Sequence, residues 1–577
     1  MRYTRILGFS GIENHRQDTN LGTLRVCEGA VMGAVGTVRS APKWEPIYSL
    51  RAPVEDKHLN VMRDSENNKF AYVSEAGTIT NLKLFNGELK VPSKFGKITT
   101  MYSAGTFDGD AEIFVNDVGS RKVFIGNGVS QKKVQDVSKP GPLAFADLEV
   151  QDKEFYQQQS ETFPNCTMFV LGMRKCIYAA GDLENPLTVY ISEPMRSDNQ
   201  DVEGIYSQEM SKVDILATNA TRITALSTYQ NYVVVHTDSG VVLLYNVETN
   251  QSSAGFRVEQ TSAATNSGAI NQKCCAGSAI IQPYYLGVDG EVYKDSSARL
   301  GPDNKPSFSD VEQVTAKAKG LWNQSVAHSY IGSFSAYETY SGVYNFYMPA
   351  AEKESEGSNQ FHGFYWFDQQ AALTGPILYP RMTAVTSVGD SSLLLGVSEG
   401  NDLMSCDLSQ LKEKRDLTVP ADDPWVGDTQ PNHTTVSVDV EKGIFNYGGR
   451  HYGSPMAESK VGNAELENAK HFPNAYLSVI ETSFEDYQSS HIKKQFHEIV
   501  ANFQGGSFGH VWVYAESDDG KIKGGYKGSL LNKNRIKSFL NLRGNYVRIR
   551  MYVVTHIDYE WVLKDLAVGF LVTKLVT

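Results

Sequence analysis

The sequence predicts an all-β fold, with a β-propeller-like domain followed by a C-terminal β-sandwich of jelly-roll type. Short runs with an apolar residue at every second position recur in pairs, joined by turns rich in Gly, Asp or Asn. These strand pairs begin roughly 40 to 60 residues apart, near the length of a four-stranded propeller blade. Long helical periodicity is nearly absent, so an all-β architecture is favoured.

The predicted propeller occupies residues 55–415, after an N-terminal extended segment, residues 1–54. Six or seven blades fit this length, because radial packing of small sheets covers both faces of each and leaves only short edges. Two unrelated β-sandwiches with evenly spaced hairpins remain an alternative. The sequence contains no GH…WD signature, so it does not indicate a WD40 protein. The predicted hairpins begin at Lys69, Ala111, Cys166, Arg222, Ala279, Gly332 and Thr383.

Composition changes after Leu411, where charge, proline and aspartate accumulate, and this predicts a linker with an insertion over residues 416–490. The stretch SPMAESKVGNAELENAK, residues 454–470, has a capping serine and a proline at the first helical position, so it predicts a helix. From Lys493 the strand pattern returns, and residues 491–577 are predicted to form the β-sandwich.

The formal charge of −12 over 577 residues disfavours a surface that wraps DNA as a whole, although a local basic patch remains compatible with it. The charge is unevenly placed. Residues 493–577 carry 13 basic against 7 acidic side chains, or +6, so the preceding residues carry −18. This asymmetry predicts different surroundings for the two ends.

Six cysteines without a CxxC pair indicate a reducing compartment rather than a disulfide framework. The N-terminal residues lack the apolar stretch of a secretory signal, and no run approaches 18 apolar residues. We therefore expect a soluble protein made and folded in a cytoplasm, with no stable membrane insertion.

Residues 505–509, Gly-Gly-Ser-Phe-Gly, match the G-x-S-x-G elbow that exposes a nucleophilic serine between a strand and a helix. A strand pattern follows instead of a helix, so a glycine-rich hairpin loop is favoured over a catalytic Ser507. Nothing in the spacing connects Ser507 with Asp518 or His556 as a triad. The stretch from Ser517 to Lys521 is only a weak echo of the sialidase blade-turn sequence, and no carboxylate pair is nominated for glycoside hydrolysis.

No metal, cofactor or catalytic residue is predicted, and the chain is expected not to be an enzyme. The histidines form neither HxH nor HExxH, and phosphate-binding glycine motifs are absent. On a strand, adjacent Cys274 and Cys275 would point to opposite faces, which makes them poor joint ligands. The loosely spaced histidines considered were His451, His471, His491, His497 and His510.

One basic group near the C-terminus could hold phosphates, but the exposed face of a sandwich explains it more simply. Arg548 and Arg550 alternate with apolar Val547, Ile549 and Met551, as expected for a half-buried strand. The group comprises residues 521–527 with Lys521, Lys523 and Lys527, then Lys533, Arg535, Lys537, Arg543, Arg548 and Arg550.

Several segments together resemble the tail nozzle proteins of short-tailed bacteriophages, also called tail tubular protein B or packaged-DNA stabilisation proteins. The resemblance covers most of the chain, and each motif alone has low specificity. Lys43 stands where that family commonly has a glycine after the proline. The segments are Gly11–Asn14, Val38–Pro42, Glu184–Ser192, Ile223–Leu226, Val288–Tyr293, Lys493–Ile499 and Val511–Ala515.

The resemblance implies a structural virion protein, a homohexamer forming a nozzle below the portal and its adaptor ring. Such a nozzle retains packaged DNA, conducts it during ejection, and contacts tail fibres or spikes. Double-stranded DNA would pass through it transiently and without sequence preference. The implied location is the virion tail, and the host cytoplasm during assembly. No catalytic or cofactor-binding residues are implied.

The competing hypothesis is a propeller-type phage receptor protein that binds or cleaves glycans, since propellers host such sites and aromatic side chains suit sugar stacking. A cellular propeller scaffold that binds proteins is a third hypothesis.

Overall fold

Strands dominate the structure, a computed structural model. Among the residues it describes there is no α-helix, and none of their helices is long and apolar enough to cross a membrane. Short 3₁₀ helices lie at Gln272–Cys274, Val314–Ala318 and Ser409–Leu411. The described residues are 2–6, 9, 23–33, 36–49, 58–63, 69–75, 78–85, 88–95, 102–107, 111–115, 122–126, 133–136, 144–145, 168–173, 177–191, 211–216, 219–246, 258–263, 265–276, 282–295, 298–300, 305–308, 311–318, 334–338, 342–349, 360–368, 371–380, 382–387, 392–398, 402–411, 416–427, 434–448, 450–453, 469–487 and 492–575.

The strands fall into an N-terminal group, a series of small antiparallel sheets and a C-terminal group. The N-terminal strands are β1 (Arg2–Ile6), β2 (Leu24–Glu28), β3 (Ala30–Met32), β4 (Val38–Ser40) and β5 (Glu45–Ser49). The strands of the first four small sheets are β6 (His58–Arg63), β7 (Lys69–Glu75), β8 (Thr78–Phe85), β9 (Glu88–Phe95); β10 (Tyr102–Phe107), β11 (Ala111–Val115), β12 (Lys122–Gly126), β13 (Lys133–Asp136), β14 (Ala144–Phe145); β15 (Met168–Leu171), β16 (Ile177–Ala180), β17 (Thr188–Ile191), β18 (Ser211–Asp214); and β19 (Ile223–Tyr229), β20 (Tyr232–Thr237), β21 (Gly240–Asn246), β22 (Val258–Gln260).

Three further small sheets follow, and the fifth is accompanied by a separate hairpin of β26 and β27. Their strands are β23 (Cys275–Ala276), β24 (Tyr284–Leu286), β25 (Val292–Asp295), β26 (Ala298–Leu300), β27 (Pro306–Phe308), β28 (Val311–Gln313); β29 (Phe334–Glu338), β30 (Val343–Pro349), β31 (Gln360–Phe367), β32 (Ala372–Pro380); and β33 (Met382–Ser387), β34 (Leu393–Ser398), β35 (Asp402–Asp407).

These seven sheets of the described chain form a closed ring. Their first strands contact one another in the order β6, β10, β15, β19, β23, β29 and β33, and β33 contacts β6 again. The N-terminal strand β5 pairs with β35 as the fourth strand of the seventh sheet, so residues distant in sequence complete the ring. The fold is a β-propeller, as predicted.

The fourth sheet shows why the propeller forms. Along β20, Val233 and Val235 lie in one apolar cluster with Tyr178 of the third sheet, whereas Val234 lies in another with Tyr285 of the fifth sheet. Both faces of the sheet are therefore covered by its neighbours, and the strand is apolar at successive positions rather than alternate ones. This two-sided burial favours radial packing over two independent sandwiches.

The C-terminal group builds three packed layers. Strands β1, β3, β4, β46, β41 and β44 form a six-stranded sheet, while β40, β45, β42 and β43 belong to a nine-stranded sheet and β36–β39 form a third. The strands are β36 (Val436–Asp439), β37 (Ile444–Tyr447), β38 (Arg450–Gly453), β39 (Ala469–Phe472), β40 (Ala475–Thr482), β41 (Ile492–Phe503), β42 (His510–Ser517), β43 (Ile522–Ser529), β44 (Arg535–Gly544), β45 (Val547–His556) and β46 (Val562–Leu575).

The middle layer is buried on both faces, as β45 demonstrates. Ile549, Met551 and Val553 face the core shared with the six-stranded sheet, and Tyr552 and Val554 face the core shared with β36–β39. Nine consecutive residues of this strand are buried. Two apolar cores thus meet on one strand.

Strand β2 joins the propeller to the C-terminal layers. Cys27 lies opposite Gly375 of β32 on one side and Ile480 of β40 on the other, so the nine-stranded sheet runs from the sixth blade into the C-terminal layers. The amide of Gly29 adds a 2.9 Å hydrogen bond to the carbonyl of Pro376. The propeller and the C-terminal layers are joined through continuous backbone pairing.

The turn after β2 requires glycine. Gly29 has a φ of +61°, and a Cβ atom at this position would lie 2.1 Å from the carbonyl oxygen of Leu477. This close approach keeps β2 beside β40.

The predicted N-terminal segment, residues 1–54, contributes strands to both parts of the molecule. Strands β1 and β4 pair with β46, and β5 pairs with β35. Most of the helix predicted over residues 454–470 lies outside the described residues. Its last two positions, Ala469 and Lys470, instead begin β39, because pairing with β36 buries Phe472 in a core.

Candidate functional site

The predicted basic group divides into two parts with different surroundings. Lys521 and Lys523 are exposed near β43, and Arg535, Lys537 and Arg543 are exposed on β44. Arg548 and Arg550 are instead buried. The prediction that these two arginines lie on an exposed face was wrong, because the layer β36–β39 covers the second face of β45.

The buried arginines form an ion network with carboxylates from neighbouring strands. Arg548 donates to Glu481 at 3.2 Å and also pairs with Glu516, and Arg550 pairs with Glu481. Glu481 is fully buried, and Arg25 approaches it at 3.6 Å from a half-exposed position. Each buried charge thus has a partner, so the network has a structural role.

Ser507 is buried and bonded within its own loop. Its Oγ donates to the carbonyl of Gln504 at 2.7 Å and accepts from the amide of Val562 at 3.4 Å. His556 and Asp518 make other hydrogen bonds. The preference for a loop over a nucleophile agrees with this geometry, but the loop is not a hairpin: it connects β41 to β42, which belong to different sheets.

His510 fastens the segment before the C-terminal layers onto the middle layer. Its Nε2 lies 2.8 Å from Asp423 Oδ2, and its Nδ1 lies 2.8 Å from the Tyr526 hydroxyl. The ring also packs against Trp425. Burial lowers the pKa of His510, while Asp423 acts in the opposite direction. Through its contacts with Asp423 and Trp425, His510 holds residues 416–427 against the middle layer.

The other histidines considered lie apart. His451 is exposed, His471 is 2.9 Å from the Ser437 hydroxyl, and His497 has a buried Nε2 without a hydrogen bond. His491 lies outside the described residues. Within the described ranges, no group of three His, Cys, Asp or Glu side chains is placed to hold a metal.

Cys274 and Cys275 pack in different apolar clusters, as expected for residues that point apart. Cys275 Sγ lies 3.2 Å from His236 Nε2, a contact that resembles a cysteine–histidine dyad. Burial raises the pKa of Cys275 to about 12 and lowers the pKa of His236 to about 3. The thiol therefore stays protonated and the imidazole neutral, which gives no nucleophilic thiolate.

Asp295, next to this pair, is fully buried, and within the described part of the chain neither of its carboxyl oxygens has a hydrogen-bond partner. Burial raises its pKa well above the usual range, so the group is held as a neutral acid.

The solvent side of the six-stranded sheet, here called the outer face, combines basic and apolar side chains. Phe539 is 76% exposed and Tyr3 52% exposed, and both lie in one cross-strand row with Gly569 and Glu498. Its other exposed members include Arg5, Arg535, Lys537, Asn541, Arg543 and Leu571.

A cleft of about 440 Å³ lies between the seventh blade and the C-terminal layers, here called the acidic cleft. Among the described residues that line it, the only basic one is Lys43, which bonds Asp558 at 2.7 Å and Glu45 at 3.2 Å. Burial lowers the pKa of Lys43, but these two carboxylates outweigh burial and raise it. The acidic lining residues are Glu45, Asp407, Asp416, Asp558 and Glu560.

The fold defines the class of this chain as a β-propeller protein that is nearly all β. No protein-family model matches it, and no curated protein has a significant sequence match. Among solved structures it is similar to the β-propeller domain of Cps50 (Swd1) from Myceliophteria thermophila, with a TM-score of 0.35 and 9% identity. That match covers 64% of this chain and 100% of the other. The propeller assignment rests on strand order and the closed ring of contacts.

Sequence reasoning missed the acidic cleft and the outer face as surfaces. The cleft gathers carboxylates from positions 45, 407, 416, 558 and 560, and no local pattern connects them. The outer face left one signal in the sequence: along Arg535–Gly544, Phe539 falls in the polar phase of the alternation. An aromatic residue at a position that alternation assigns to solvent indicates an exposed apolar side chain.

Proposed function

We propose that this chain is a structural protein of a phage tail, which forms a hexameric nozzle below the portal and adaptor ring. The nozzle retains packaged DNA and conducts it during ejection, and it contacts tail fibres or spikes. In this proposal the chain is not an enzyme, holds no cofactor or metal, and resides in the virion tail after assembly in the host cytoplasm. We further propose that residues 491–577 form the jelly-roll-like sandwich of that nozzle.

The observation that supports the proposal most is the joint between the propeller and the C-terminal layers. Strand β2 continues the sixth blade into the C-terminal layers, and β5 closes the seventh blade. A conduit wall that holds DNA under pressure needs domains that transmit force without hinging. Backbone pairing across the joint supplies that rigidity, and a propeller that only presents a ligand site does not require it.

Charge supports the same proposal. Residues 1–492 carry a net charge of −18. An acidic lumen would repel the phosphates of DNA, so the genome would slide without binding the wall. A channel wall that proves strongly basic in an assembled particle would contradict this part of the proposal.

The test is electron microscopy of the purified chain mixed with capsids that lack a tail and display their portal and adaptor ring. We expect a six-fold tube to be added at the portal vertex, and no further tube to be added to capsids whose tail is already complete. If the chain never joins the vertex and stays as separate particles, the nozzle proposal fails. Assays of glycan binding and hydrolysis would then test the receptor-protein alternative.

A further inference from the structure

We propose that the outer face of one copy docks into the acidic cleft of the next copy, in a head-to-tail contact that closes the ring. This inference rests on the proposed oligomeric nozzle and adds the two surfaces that join its subunits. The evidence is that one chain carries two surfaces of opposite charge at different places, and each is accessible.

The outer face has the composition of an interface core with a basic rim. Phe539, Tyr3 and Leu571 are 76%, 52% and 42% exposed. Large apolar side chains grouped on one sheet face mark contact surfaces. Aromatic and arginine side chains are also the usual anchors of such contacts.

The acidic side chains of the outer face are already engaged, which leaves its basic ones in excess. Glu498 accepts a hydrogen bond from the Tyr3 hydroxyl, and Asp565 accepts from Arg5 at 3.1 Å and from Asn502 at 2.6 Å. The ring of Tyr3 lies against Gly569, where a Cβ would come within 2.9 Å. Tyr3 is thus held in place before binding.

Arg535, Lys537 and Arg543 lie exposed at alternate positions of β44 beside Phe539. Strand β44 is the last strand of its sheet in the described part of the chain, so a partner can approach it from the side. These three cations form the basic rim.

The acidic cleft is the complementary surface. Its five lining carboxylates face one lining lysine, and Arg39 reaches Glu560 at 2.6 Å from beside it. The described carboxylates of the cleft therefore outnumber Lys43 and Arg39 by three. Asp416 is exposed at the rim, and Glu45 and Asp558 have side chains 61% and 54% exposed.

A second copy is the occupant that this charge distribution favours. Complementary potentials orient and select partners, and the two surfaces differ within one chain. Contact between unlike surfaces is heterologous, and it generates a ring when the rotation closes. A ring is the assembly that the proposed nozzle requires.

The first experiment replaces Phe539 with a photoreactive benzoylphenylalanine and mixes isotopically light and heavy chains, alone at high concentration and on tail-less capsids. We expect light-to-heavy crosslinks from position 539 to peptides spanning residues 402–427 or 555–561. Crosslinks between copies at other surfaces, or none between copies, overturn the inference.

The second experiment measures the chain concentration needed for half-maximal ring formation. For the double variant Arg535→Glu with Lys537→Glu, this concentration should rise at least about tenfold, because like charges would face each other across the contact. Adding Asp416→Lys should recover part of the loss. Lys521→Glu with Lys523→Glu, the same total charge change at two exposed positions in and just before β43, is the matched control and should leave assembly unchanged.

The outcomes separate the two proposals. Rings that form equally well with the double variant overturn the docking inference and leave the nozzle intact. Crosslinks to the acidic cleft in chains that never form a tube on capsids support the contact and contradict the nozzle. A monomer under every condition contradicts both.

Discussion

The propeller and the C-terminal layers bury ionisable groups in opposite ways. In the propeller, Asp295 is fully buried, its carboxyl oxygens accept no hydrogen bond from the described residues, and burial raises its pKa. In the C-terminal layers, Glu481 is equally buried but pairs with Arg548 and Arg550. A buried carboxyl without a partner keeps its proton, whereas one with cations stays charged. The stability effect of Asp295 should therefore depend on pH, and that of Glu481 on the presence of its partners.

The largest effect is expected from Glu481→Gln. This change leaves Arg548 and Arg550 without their shared carboxylate, and breaking a buried pair in this way typically costs about 3–5 kcal/mol. We expect a loss of this size in the free energy of unfolding, measured by urea denaturation followed through tryptophan fluorescence. Glu516→Gln, which removes a less buried partner of Arg548 alone, should cost less. Equal costs for both variants would show that Glu481 is not the centre of the network.

The second effect concerns Asp295. Because its pKa is raised in the folded state, ionisation favours the unfolded state, and stability is lost as pH rises above the unfolded value of about 3.9. Asp295→Asn removes this loss. The stability advantage of the variant over the natural chain should grow as pH rises above about 4, by up to about 1.4 kcal/mol per pH unit, until the raised pKa of Asp295 in the folded state is reached.

Thermal unfolding at several pH values measures this gain. Asp289→Asn, on the exposed turn of the same sheet, controls for the substitution itself. A difference between Asp295→Asn and the natural chain that stays constant with pH would mean that Asp295 finds a partner or water.

Glu485, in the C-terminal layers, is an intermediate case. Burial, and then the neighbouring Asp486, raise its pKa to about 7, and one carboxyl oxygen has no hydrogen bond. The natural chain should lose stability relative to Glu485→Gln as pH rises from about 4.3, the unfolded value, to about 7, with no further loss above it. The same thermal measurements should show this plateau near pH 7. A trend that continues to pH 9 would contradict the assignment to Glu485.

The sequence predicted the propeller correctly because its evidence is local. Each blade is a run of neighbouring strands, and the period of the hairpins is visible without knowing any distant contact. The closing strand β5 and the joining strand β2 were not foreseen as such, because their partners lie hundreds of residues away. Alternation also misplaced Arg548 and Arg550. An alternating pattern tells which side chains share a face, but not whether a third layer covers that face.

The outer face and the acidic cleft escaped prediction for the same reason. Each is assembled from segments far apart in the sequence, and the acidic cleft also takes Asp407 and Asp416 from the seventh blade and the residues after it, so the charge of each surface exists only after folding. The individual basic residues of β44 were singled out from the sequence. Their place in a larger surface could not be foreseen, because that surface also includes Tyr3, which lies 532 positions before Arg535 in the sequence.

The smallest effect is expected from Arg25→Ala. Arg25 approaches Glu481 at 3.6 Å, but 49% of its side chain is exposed. Water and salt screen such a pair, so its loss should cost about 0–1 kcal/mol, and 0.5 M salt should reduce even this difference. The Glu481→Gln loss should persist at the same salt concentration, because buried pairs are screened much less. If Arg25→Ala matched Glu481→Gln in size, the network would depend on its exposed edge, and the contrast between paired and unpartnered burial would need another cause.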